Sequence, residues 1–131
     1  MSIKPEGSLT ASQYEIMQVI WKSAEEGTSV KQVWEEIVQK RQVSKTTILN
    51  QISRLEKRLW VKRYQVEGAN HYRATVSKEN TSQQMAGEFV KDFFEGSTQQ
   101  LVQSFLGSGK VDKVVLEQLR QMLDKAIEEE G

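Results

Sequence analysis

The chain has no cysteine, one histidine and one proline. Without thiols there is no disulfide, no thiolate metal site, no iron–sulfur cluster and no cysteine nucleophile. A single imidazole, His71, argues against a His-rich metal site and against a His-dependent catalytic triad. Apolar runs fall far short of the ~18 residues that cross a bilayer. The opening MSIKPEGSLT lacks the apolar core of a secretory signal. At 131 residues and 37% hydrophobic content, the chain can fill one ordinary domain or two small ones, but not a large enzyme. Glu25-Glu26, Glu35-Glu36 and Glu128–Glu130 sit in exposed helical or terminal stretches and outline no site. The expectation is a cytoplasmic binding protein with no membrane contact, no catalytic residue, no metal and no cofactor.

Net charge is missing too, with 18 Lys and Arg against 18 Asp and Glu, but the balance is uneven along the chain. Residues 1–76 hold 12 basic and 8 acidic side chains, whereas residues 77–131 hold 6 and 10. Lys40, Arg41, Lys45, Arg54, Lys57, Arg58, Lys62 and Arg63 are opposed within their own stretch only by Glu56. Such a patch suits a nucleic-acid surface, and it equally suits a solvated basic face until the fold decides.

The first half reads as three short helices and a hairpin. Thr10 with Gln13, and Ser29 with Gln32, have capping-box spacing. Tyr14, Ile16, Met17, Ile20 and Trp21 form the apolar stripe of the first helix, which Gly27-Thr28 ends. Val30, Val33, Trp34, Ile37 and Val38 form that of the second. Ser44 caps a third helix over about 45–58, with Ile48, Ile52, Leu55 and Leu59 expected inside. Its other arc carries Thr46, Thr47, Asn50, Ser53, Arg54 and Lys57, with no carboxylate among them. Residues 60–66 and 71–76 alternate like half-buried strands around Glu67-Gly68-Ala69-Asn70, where Gly68 and Asn70 can take positive φ. Trp21, Trp34 and Trp60 read as core anchors, and His71 as a hairpin residue.

The second half reads as three more helices. Ser77 caps one running to Phe94 that buries Met85, Phe89, Val90, Phe93 and Phe94. Gly96-Ser97 breaks it before a helix over 98–106, and Asp112 caps the last. So small a unit cannot cover its own apolar surface. It either folds back on the first half or meets the same helices of a second chain, and its four phenylalanines favour dimerisation. The expected fold is therefore mostly α. Residues 1–76 form an N-terminal winged helix, three helices plus a β-hairpin wing, and residues 77–131 a three-helix dimerisation domain. The dimer interface is expected at Phe89, Phe93, Phe94, Leu101, Phe105, Leu119 and Leu123.

Several stretches carry a resemblance. Leu9-Thr10, Glu15-Ile16-Met17, Ile20-Trp21 and Ser29-Val30-Lys31-Gln32-Val33 resemble the penicillinase and methicillin-resistance repressor family. So do Thr46-Thr47-Ile48, Arg54-Leu55, the hairpin end Tyr72-Arg73-Ala74, Phe94-Glu95-Gly96-Ser97 and Leu119 with Leu123. The resemblance spans roughly residues 9–125. It implies a homodimeric transcriptional repressor on double-stranded operator DNA, with the third helix in the major groove and the wing on the flanking backbone. Thr46, Thr47, Asn50 and Arg54 would then contact bases. Lys45, Lys57, Arg58, Lys62, Arg63 and Arg73 would contact phosphates. The copper-responsive relatives sense through cysteines that this chain lacks. Antibiotic-responsive relatives are cleaved at an Asn-Phe bond, so the resemblance implies a regulatory protease as partner at Ser104-Phe105, with Ser in place of Asn. Family members carry Gly after the third helix, which maps here to Arg58: either a left-handed arginine or an added phosphate contact. Two other readings stay open, a winged helix used as a protein-interaction module and a ligand-responsive winged-helix regulator of another family.

Overall fold

Thr10, Ser29 and Ser44 open the first three helices as their positions predict. In the computed structural model, which describes residues 4–23 and 25–130, these are α1 (Ala11–Lys22), α2 (Val30–Val38) and α3 (Lys45–Lys57). The Gln13 amide donates to Thr10 Oγ1 at 3.2 Å while the Thr10 amide donates to Gln13 Oε1 at 3.1 Å, a complete capping box. Ser29 and Gln32 repeat the exchange at 2.9 and 3.2 Å. Each box satisfies two amides that helix geometry leaves without partners.

The three helices bury one core. Ile16, Met17, Val19 and Ile20 of α1 meet Val33 and Ile37 of α2 and Ile48, Ile52 and Leu55 of α3, closed by Trp60, Val61 and Tyr72. Tyr14 and Trp21 stand at its margin, half-buried, with ring centroids 5.8 Å apart. The indoles are tied down as well, Trp21 Nε1 donating to Val76 O at 2.9 Å and Trp34 Nε1 to Val43 O at 2.7 Å. Leu59 departs from the expected stripe: α3 ends at Lys57, and Leu59 turns to φ 66° with 40% of its surface exposed. The left-handed residue after α3 is thus Leu59, while Arg58 keeps φ −90°.

β1 (Val61–Val66) and β2 (Ala69–Ala74) form an antiparallel hairpin in which Val66 faces Ala69. The turn is therefore two residues long, Glu67 at φ 51° and Gly68 at φ 81°, both positive as a type I′ hairpin turn requires. Asn70, one of the two residues expected to take positive φ, pairs with Gln65 in the ladder instead, and Glu67 takes that role. A bridge from Thr28 to Tyr72 (2.9 and 3.1 Å) adds a one-residue third strand between α1 and α2. Gly27 beside it has no room for a side chain: a Cβ there would lie 2.3 Å from the Tyr64 hydroxyl and 2.6 Å from Tyr72 O.

α4 (Lys78–Phe93), α5 (Thr98–Gly107) and α6 (Lys113–Glu130) follow. Ser77 Oγ accepts from the Asn80 amide and Asp112 Oδ1 from Val115, so both expected caps form, and Ser97, expected only as a break, caps α5 by accepting from the Gln100 amide. Glu95 and Gly96, both at positive φ, end the first of these helices. The chain divides into two compact units, Met1–Met85 and Ala86–Gly131. The dividing point falls inside α4, because Thr81 is buried and donates to Ser77 O at 2.9 Å, which leaves the start of that helix with the first unit. Among the described residues of the second unit no side chain is buried. Phe89 and Phe93, expected inside, are exposed, and Met85, Val90 and Phe94 are half-buried. Phe89 does gather Phe93 and Phe94 at 5.1 and 5.7 Å. No helix among the described residues is long and apolar enough to cross a membrane.

A leucine held in the left-handed region is strained relative to glycine. Leu59→Gly is expected to raise the unfolding free energy by about 0.5–1 kcal/mol. A urea titration checks this; a lower midpoint would mean that Leu59 makes contacts worth more than its strain.

Candidate nucleic-acid interface

The outward face of α3 is assembled from sequence alone: the buried arc of Ile48, Ile52 and Leu55 forces the opposite arc outward. Thr46, Thr47, Asn50, Arg54 and Lys57 are exposed there, and Ser53 is half-buried. Thr47 Oγ1 shares a 2.9 Å hydrogen bond with Ser44 Oγ at the cap. No acidic residue stands in the first turn, so the positive end of the helix dipole is unopposed and open to an anion. Lys45 is set at this end with its ammonium 4.8 Å from the centre of the Trp34 ring. Arg54, Lys57 and Lys62 form no ion pair among the described residues.

One residue of that face escaped a reading that looked for polar groups. Leu49 lies beside Thr46 and Ser53, at the edge of that face, with 44% of its surface exposed. Its position one residue past Ile48, off the buried arc, was the available signal.

The hairpin places Lys62 directly across from Arg73. Like charges facing one another across strands are destabilising. Arg73 relieves this by folding over the Tyr64 ring, 4.6 Å from its centre, and donating from Nε to the Tyr64 hydroxyl at 2.6 Å. Tyr64 in turn donates to Glu25 O at 3.3 Å, which ties the wing to the α1–α2 loop. On the other face of the hairpin Arg63 pairs with Glu56 at 3.3 Å and stands across from Tyr72. Burial pushes the Tyr72 phenol above its usual pKa, and Glu56 adds to the rise while Arg63 opposes it. Arg41 is also neutralised, by Glu15 at 2.8 Å. The eight basic residues of the sequence patch are therefore not equivalent.

Arg58 differs most from expectation. Its guanidinium donates to Glu6 O at 3.0 Å, to Gln13 Oε1 at 3.1 Å and to Ser8 O. Its own carbonyl accepts from the Glu6 amide at 2.8 Å, and Trp60 Nε1 donates to the same Glu6 carbonyl at 3.0 Å. Buried Gln13 passes the network on, donating to Gln51 Oε1 of α3 at 3.2 Å. A guanidinium so occupied has turned inward to clamp residues 6–8 against the end of α3. The sequence held no local sign of this, because partners about 50 positions apart meet only in the fold.

The remaining candidates lie in the second unit. Phe89, Phe93 and Phe105 are exposed, and Phe94, Leu101 and Leu119 are half-buried; Leu123 is exposed on α6. The Ser104-Phe105 bond sits within α5, so a protease would have to open that helix to reach it. Among the described residues no cluster of acidic or imidazole groups could hold a metal.

With this geometry in hand, comparison with known proteins is specific. The pattern of one protein family, described as penicillinase repressor, matches residues 9–125. The penicillinase repressor of Staphylococcus aureus is 25% identical over 116 residues, covering 88% of this chain and 90% of that protein. The methicillin resistance regulatory protein MecI of Mammaliicoccus sciuri is 25% identical over 117 residues, covering 89% and 94%. AbfR of Staphylococcus epidermidis, known from a crystal structure, overlays with a TM-score of 0.44 at 26% identity, covering 92% of this chain and 75% of that one.

The two roles open to Arg58 separate in one substitution. Arg58→Lys keeps the charge and loses the planar fork, so the clamp reading expects about 1–2 kcal/mol of lost stability in denaturant unfolding. Unchanged stability, with only weaker DNA binding, would return Arg58 to the phosphate contacts.

Proposed function

The chain belongs to the penicillinase repressor family, and we propose that it is a transcriptional repressor that binds double-stranded operator DNA as a homodimer. The observation that carries this reading is the outward face of α3, exposed and free of carboxylates, with Arg54 and Lys57 in its last turn and no acidic residue at the positive end of its dipole. A protein-binding face has no need to exclude one sign of charge, whereas a polyanion demands it.

Affinity comes from phosphates. Lys45 and Lys57 on α3 and Lys62 and Arg73 on the hairpin supply the cations. Arg63 contributes less because Glu56 already shares its charge, and Arg58 serves as the clamp. Base choice falls to Thr46, Thr47, Asn50 and Arg54: Asn suits adenine, Arg suits guanine, and Thr accepts, donates or packs on a thymine methyl. The second unit supplies the second copy. Phe89, Phe93, Phe94, Leu101, Phe105, Leu119 and Leu123 form a face that another chain would cover. Two-fold symmetry of the dimer then calls for a palindromic operator.

Selection of bound duplexes from a randomised pool at moderate salt tests the reading. An enriched palindrome is expected, with log affinity falling against log salt at a slope of roughly −5 if about six phosphates are neutralised per dimer. Lys62→Ala should weaken all sequences alike and make that slope shallower by about 1–2 per dimer. Recovery of no motif, with binding that vanishes by ~200 mM salt, would leave only non-specific attraction and overturn the proposal.

A further inference from the structure

Leu49 is an apolar side chain on a face that otherwise meets water with hydroxyl, amide and cationic groups. Ile48, Ile52 and Leu55 fill the core side of α3, each with 1% exposure or less, whereas Leu49 keeps 44% of its surface exposed. At about 100° per residue it stands some 60° from Thr46 and about 40° from Ser53, at the edge of the outward arc. A lone exposed leucine on a protein surface is ordinary. Here it stands at the border of the surface assigned to DNA, beside Thr46 and Ser53, where closing the interface strips water from its exposed part.

In that setting leucine has one good partner. The major-groove edge of a base pair presents hydrogen-bond donors and acceptors at every position, and one apolar group, the C5-methyl of thymine. Opposite a phosphate or a cytosine amine, Leu49 would desolvate a polar group and return nothing. Opposite a thymine methyl both apolar surfaces leave water together. The next residue, Asn50, suits adenine. We propose that Leu49 is a specificity-determining residue that reads a thymine methyl in each half-site, and that with Asn50 it biases the operator toward A·T pairs at adjoining positions. This rests on the DNA-binding reading above.

Replacing thymine by uracil removes the methyl and leaves every hydrogen-bonding edge intact. In the operator recovered by selection, each thymine is changed to uracil in turn, symmetrically in both half-sites. Binding is then measured for the wild type and for Leu49→Ala, whose exposed position and high helix propensity keep the fold intact. The wild type should lose about fourfold per half-site at one thymine position, the worth of one buried methyl. Leu49→Ala should bind the normal operator more weakly and lose nothing further from uracil at that position. Penalties that are the same for both proteins at every thymine, or a wild type indifferent to uracil throughout, would overturn the role of Leu49 while leaving the repressor reading standing. A wild type that selects no operator would remove both.

Discussion

Phe93, Met122, Leu123 and Ile127 each leave 65–72% of their surface in water in a single chain. They are the extreme members of a unit in which no described side chain is buried. Covering a large apolar side chain is worth about 1.5–3 kcal/mol, so four such residues from each of two chains, with about two-thirds of their surface still to cover, supply roughly 8–16 kcal/mol. Association itself costs about 4–15 kcal/mol. These four residues only about match that cost, so a stable pair would also draw on Phe89, Val102, Phe105 and Leu106. In the proposed function, two-fold recognition by α3 would depend on this uncovered surface, because pairing would present two copies of α3 to one operator.

Within the first unit the same economy of small size shows in a different form. Three short helices hold a core of isoleucine, valine and leucine, and hydrogen bonds at the edges fix what the core alone leaves loose. Arg58, Gln13 and Gln51 link the N-terminal segment, α1 and α3. Thr28, Tyr64 and Tyr72 link the wing to the loop before α2. Recognition helix and wing are thus both fastened to the same frame. That rigidity lowers the ordering cost of binding, and it frees Lys45, Arg54, Lys57 and Lys62 to remain unpaired toward an anion. Lys62 facing Arg73 costs stability in the free protein, and a phosphate near both would turn that cost into attraction.

What the sequence made legible was local. Five caps, Thr10, Ser29, Ser44, Ser77 and Asp112, were readable because a cap and its amide lie three positions apart. The buried arc of α3 was readable from periodicity, up to the point where the helix stopped. Leu59 was carried into the stripe because the pattern continues past Lys57, although the backbone there has already turned. Glu67 at positive φ was missed because glycine and asparagine are the usual occupants, and the register of the strands decided otherwise. The bridge at Thr28 and the Arg58 clamp join residues far apart in sequence, and no periodicity encodes them. Leu49 was overlooked for another reason: sorting a face by polarity hides the one apolar group whose exposure carries information.

The central claim is that two chains cover one another through residues 86–131. Sedimentation equilibrium of the free protein tests it most directly. The account predicts a particle of twice the 15.0 kDa chain mass, converted to the single chain by Phe93→Asp or Phe105→Asp. A wild type that sediments as a 15.0 kDa monomer at micromolar concentration, or dimers that survive both substitutions, would contradict it.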